Sequence, residues 1–165
     1  MGVHQEDLIS CIRFNLSNEK FLKGMIKFGD IKPNEFCGLP NYLEVGEPTK
    51  SGYPFNLVQL ACVYKRDDVY TELLNHGGFP VEISEDQLRN ALCYSAMYNQ
   101  PDLTFALINF RAFDINMPGS DFSHNPLQLC LIHDSPAVVQ ILLEDERLDL
   151  VCSCLFFYLL LIVNL

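Results

Sequence analysis

The sequence predicts an all-α fold, a solenoid of stacked helix pairs with projecting hairpin loops, and three observations predict it. Three segments superimpose without internal gaps: "NLVQLACVYKRDDVYTELLNHG" from Asn56, "NALCYSAMYNQPDLTFALINFR" from Asn90 and "NPLQLCLIHDSPAVVQILLEDE" from Asn125, with starts 34 and 35 residues apart. Each runs from an apolar stretch through a polar break to a second apolar stretch closed by a paired aliphatic, Leu73-Leu74, Leu107-Ile108 or Leu142-Leu143. Pro101 and Pro136 fall at matching places, where a second helix begins and a missing N–H costs nothing. A period of this length marks a repeat architecture, in which one unit cannot hide its apolar side and leans on the next.

Each element has a local reason. Two short helices joined by a tight turn fit the spacing of apolar residues in each unit. Asp68 and Asp102 stand in the first turn of the second helix, where a carboxylate meets the positive end of the peptide dipoles. Gly77-Gly78 follows "LLNH" as a helix stop, and His76 beside it can interact with the last carbonyls. The stretches "FPVEISEDQL" and "AFDINMPGSDFSH" between units are rich in turn residues and read as projecting loops or hairpins.

These residues carry a resemblance. Paired short helices plus a loop at about 33 residues resemble the ankyrin repeat, whose pattern runs T-P-L-H-x-A-A, G-x-x-x-x-V-x-x-L-L and G-A-D-x-N. "NPLQLCLIHDSPAVVQILL" and "LVQLACVYKRDDVYTELLNHGG" match it well, and "RAFDIN" (111–116) is similar to its ending with one extra residue. "ALCYSAMYNQPDLTFALI" is a weaker copy, and "LISCIRFNLSNEKFLKGMIKFG" from Leu8 reads as a degenerate fourth, 48 residues ahead of the next. The resemblance thus implies a degenerate unit at about 8–30, an insert at 31–52, units at about 53–86, 87–121 and 122–150, and a tail at 151–165. No unit keeps an intact T-P-L-H, so the helix-opening bonds of the family need replacements here.

Composition bounds the function. The 165 residues are 49% hydrophobic, enough to fill a core, and the net charge is −10 from 21 acids and 11 bases. Acids gather at Asp67-Asp68, at Glu82, Glu85 and Asp86, and from Glu144 to Asp149. Such a surface repels phosphate backbones, which excludes nucleic acid and favours a protein partner with a basic surface. Seven cysteines, an odd count, and a polar start without a secretory signal point to reduced thiols in the cytoplasm, with the nucleus as the alternative. Cys11, Cys62, Cys93 and Cys130 sit in apolar runs and read as small core hydrophobes.

No nucleophile, phosphate-loop or zinc-protease motif occurs, so no catalytic residue, cofactor or metal is expected. Cys152-Ser153-Cys154 lacks both the two-residue spacer and a second ligand pair for zinc. The binding expectation rests on a ladder eight places into each unit: Tyr64, Tyr98 and His133. In the ankyrin-like arrangement this position, near the end of the first helix, faces the concave side, and neighbouring units stand about 10 Å apart. Aromatic rings there supply contact area at low entropic cost. Lys65, Arg66, Asn99, Gln100 and Asp134 would form the rim, with Phe79 and Phe113 joining from loop tips. The alternative is that the tyrosines pad the groove between units.

After "RLDL" the pattern stops and "VCSCLFFYLLLIVNL" follows. A membrane anchor over 150–163 would reach only about 21 Å as a helix, short of the roughly 30 Å hydrocarbon core. A capping helix would lack a polar face. The favoured expectation is the end of a truncated or mis-spliced longer array, which would leave Val138, Ile141 and Leu142 partly uncovered. The functional expectation is a protein-interaction module, an adaptor or scaffold. Its alternatives are a membrane-tethered scaffold and, from the family resemblance, the substrate-recognition part of a ubiquitin ligase.

Overall fold

The computed structural model describes residues 5–15, 19–28, 31–38 and 52–151, which are mostly helical. They form eight helices and one two-stranded antiparallel ribbon. The chain divides into two compact units, Met1–Ile83 and Ser84–Leu165.

The first unit holds α1 (Gln5–Arg13), α2 (Glu19–Phe28), β1 (Phe36–Gly38), β2 (Gly52–Asn56), α3 (Leu57–Val63) and α4 (Asp67–Asn75). Helix α1 packs on α3 and α2 on α4, first helix on first and second on second. Leu8, Ile12, Ile26, Phe55, Leu60 and Leu73 are fully or almost fully buried in this unit. Asn56 ends β2 and caps α3. Its side chain accepts from the Gln59 N–H at 2.8 Å while the Gln59 side chain accepts from the Asn56 N–H at 3.1 Å. This reciprocal box satisfies donors that the helix start would otherwise leave open. The ribbon pairs Phe36 with Asn56 and Gly38 with Gly52, so β1 lies within the 31–52 insert and β2 leads from its end into α3. Runs of three and five residues are too short to reveal alternation; burial of Phe55 holds β2 in place.

The second unit holds α5 (Glu85–Met97), α6 (Pro101–Phe110), α7 (Pro126–Ile132) and α8 (Pro136–Leu143). Here α5 packs on α7 and α6 on α8, the same scheme as in the first unit. Leu92, Leu103, Leu107, Val138 and Leu142 are wholly buried. The paired aliphatics occupy matching places: Leu73, Leu107 and Leu142 are all fully buried, and Val69, Leu103 and Val138 repeat the match one turn earlier. Of Val138, Ile141 and Leu142, expected to stand partly uncovered, Val138 and Leu142 are wholly buried, which corrects the expectation for them, and Ile141 is half-buried. Leu131, Ile132 and Leu143 are exposed instead, whereas Ala96, at the place of Leu131 on α5, is covered.

Neither inter-unit stretch forms the hairpin that turn residues allowed; 79–84 is irregular loop. Helix α5 starts at Glu85, taking in most of "SEDQL". Ser84 accepts from the Gln87 N–H at 3.1 Å, the Gln87 side chain accepts from the Ser84 N–H at 3.0 Å, and Glu85 and Asp86 favour the positive helix end. The second stretch lies down on its own unit, burying Phe113 and Ile115. Asn116 then ties it to the loop after α8, donating to the Arg147 carbonyl at 2.8 Å and accepting from the Asp149 N–H at 2.7 Å. Asn34 makes the same two bonds in the first unit, to the Gly77 carbonyl and from the Phe79 N–H, each at 3.4 Å.

Candidate functional site

One turn is built three times with the same backbone. Tyr64, Tyr98 and His133 close the first helices, donating N–H to Leu60, Tyr94 and Leu129 at 2.9–3.0 Å. The next residues, Lys65, Asn99 and Asp134, take φ of 53°, 47° and 53°, left-handed in each case. Arg66, Gln100 and Ser135 then donate back to Ala61, Ser95 and Cys130 at 2.8–2.9 Å. Such a bond across a left-handed residue is the usual way a helix end satisfies its last carbonyls. Left-handed backbone costs a non-glycine residue roughly 1–2 kcal/mol, which the main-chain bonds on either side of each turn offset.

The first unit shows the turn once more. Phe14 donates to Ser10 at 3.0 Å and Asn15 takes φ of 50°. Phe14 therefore stands where Tyr64 stands, 50 residues ahead, rather than in the 48-residue register read from the apolar run. Its ring is 57% exposed and carries the Arg13 guanidinium 5.2 Å from its centroid. The ladder thus has two rungs in each unit: Phe14 with Tyr64, and Tyr98 with His133. Spacing alone missed Phe14 because α1 lacks the asparagine that opens the other copies.

The expected contact residues divide by burial. Tyr64 and Tyr98 are half-buried, while Lys65, Asn99, His133 and Asp134 are exposed. Phe79 is 59% exposed. Arg66, Gln100 and Phe113 are buried and cannot form a rim or a loop tip, which corrects their assignment. Arg66 and Gln100 are the cap residues just ahead of α4 and α6, and both side chains are buried there. Arg66 donates to the Cys11 carbonyl at 2.7 Å and grips Asp68 with two bonds at 2.8 and 2.9 Å. That grip holds the Asp68 carboxyl below the usual carboxylate range. Phe113 packs inward because its loop is anchored by Asn116.

Tyr98 belongs to a larger aromatic group. It lies parallel to Tyr94 with centroids 6.4 Å apart, and Phe122 meets Tyr94 edge-on at 4.9 Å. Burial raises the Tyr94 phenol, with lesser contributions from Asp121 and Tyr98. The loop carrying Phe122 is pinned to α5 by two side chains. Asp86 accepts from the Ser120 N–H at 3.0 Å and its hydroxyl at 2.6 Å, and Asn90 accepts from the Asp121 N–H at 3.1 Å. These bonds, the Ser120 hydroxyl foremost, keep the Asp86 carboxyl low. A Cβ on Gly119 would lie 2.5 Å from the Asn90 nitrogen, so only glycine lets the loop come this close.

Burial pushes the Cys93 and Cys130 thiols up to about 12, leaving them protonated at neutral pH. Among the described residues, no three His, Cys, Asp or Glu side chains are grouped to hold a metal ion. Among them, too, no helix is long and apolar enough to cross a membrane. The apolar tail, including Cys152 and Cys154, lies outside the described residues. No protein-family model, curated protein or solved structure matches the chain.

Proposed function

We propose that the chain is an ankyrin-type repeat protein that binds a partner protein through the rings at its first-helix ends. The 34- and 35-residue spacing supports the family, as do the shared turn and the packing of first helix on first and second on second within each unit. One observation carries the binding reading. Phe14, Tyr64, Tyr98 and His133 share one backbone position, and a left-handed residue follows each. The turn geometry is set by main-chain bonds, so the ring type at this position is not dictated by the turn. Four rings at four matching places supply flat, low-entropy contact area of the sort that dominates interfaces. A net charge of −10 adds attraction toward a basic surface.

The test compares three forms of the full chain as bait: wild type, a variant with Tyr64, Tyr98 and His133 changed to Ala, and a control with exposed Thr71 and Gln140 changed to Ala. Quantitative mass spectrometry of captured proteins reads the result. Partners retained by wild type and control but lost from the ladder variant support the reading. Identical sets from all three, with melting temperatures unchanged, refute it.

A further inference from the structure

Helices α6 and α8 border an open cleft of about 520 Å³, with Phe105, Ile108 and Ile141 as its apolar floor and Glu144 to Arg147 along one side. Phe105 is the unusual member. It is 62% exposed, and the matching places in the other two units are the polar Thr71 and Gln140. Phe105 is not an isolated exposed ring, because it lines one open apolar surface together with Ile108 and Ile141.

The charge of the cleft is one-sided. Glu144 and Glu146 are exposed. Arg147 is engaged internally, donating to Asp145 at 2.6 and 2.8 Å and to the Ile108 carbonyl at 3.0 Å. Both α6 and α8 end at this cleft, which adds the negative ends of their peptide dipoles. In the first unit a smaller cleft between α2 and α4, about 240 Å³, is lined by Leu22, Lys23, Asp68, Thr71 and Glu72. There Lys23 answers Glu72 at 3.3 Å, so the acid is matched from within.

We infer that the α6/α8 cleft binds a basic peptide segment of a partner protein. A bulky apolar side chain covers Phe105 above Ile108 and Ile141, and flanking Lys or Arg side chains pair with Glu144 and Glu146. The apolar floor selects a peptide over a small cation, and the acids select basic over neutral sequence. This surface uses residues other than the ladder, so it stands or falls independently.

Fluorescence anisotropy with the full chain tests it, using a fluorescein-labelled peptide of alternating Arg and Leu and a matched peptide of alternating Glu and Leu. Wild type binds the Arg-Leu peptide and not the Glu-Leu peptide. Phe105→Thr, which installs the residue found at the matching place, weakens binding about tenfold, and Glu144→Gln with Glu146→Gln weakens it similarly. The triple ladder variant binds as wild type does. Binding unchanged in Phe105→Thr would show attraction to net charge alone and overturn the inference. So would failure of wild type to bind, or equal binding of the Glu-Leu peptide.

Discussion

Arg66 and Cys11 are joined by a 2.7 Å hydrogen bond from the guanidinium Nη1 to the carbonyl oxygen near the end of α1, across 55 positions of sequence. The guanidinium is 6% exposed, so the bond is shielded from water and couples the α1 end to the α3–α4 turn. Arg66→Met removes a charged donor and leaves the Cys11 carbonyl to find another. Urea unfolding should show a loss of about 2–3 kcal/mol. Faster amide exchange in α1 would accompany it.

Asp68 gives the same clamp a pH dependence. Its folded pKa is depressed by Arg66, so the stabilisation is fully present above its unfolded value of about 4 and is lost as pH falls through the lower folded value. The urea midpoint should therefore drop less between pH 6 and pH 3 in Asp68→Asn than in wild type. An equal drop in both would place the acid sensitivity elsewhere.

The paired aliphatics are unequal partners. Leu142 is fully buried and Leu143 is 55% exposed. Leu142→Ala should cost about 2–5 kcal/mol through lost burial and a residual cavity. Leu143→Ala should stay within about 0.5 kcal/mol, as surface changes do. Thermal melts of the two variants separate these outcomes.

Gly119 sits against Asn90 so closely that a methyl group has no room. Gly119→Ala must push the loop off α5, at a cost of about 1–3 kcal/mol. Phe122 would leave Tyr94 with it, and the near-ultraviolet circular dichroism of the tyrosines should fall.

Left-handed backbone at Lys65 is an unrealised source of stability. Lys65→Gly should raise stability by about 0.5–1 kcal/mol, with Asn99→Gly and Asp134→Gly gaining less because asparagine and aspartate tolerate this region. Lys65→Val should lower it. Denaturant midpoints for the series give the order directly.

Much of the helical content was legible in the sequence. Asn56 and Asn125 mark real helix starts, and the aliphatic pairs mark matching buried sites, because caps and periodicity act within a few residues. Asn90 was misleading for the same reason. It aligns with the other two asparagines yet lies inside α5, where it holds a loop instead of capping, since Ser84 and Gln87 already open the helix. The site was only half legible. Tyr64, Tyr98 and His133 follow from spacing, but the burial of Arg66, Gln100 and Phe113 depends on which way the next element folds back. Phe14 was hidden by the insert, which breaks the period ahead of the second copy.

The repeated turn separates two duties that most surface positions combine. Main-chain bonds and one left-handed residue shape the corner, so the ring beside it can be exchanged without redrawing the path of the chain. Substitution at 14, 64, 98 and 133 should therefore change the chemistry displayed at each corner and leave the corner itself in place. Its neighbours at 15, 65, 99 and 134 would drift only among the few residue types that accept the bend.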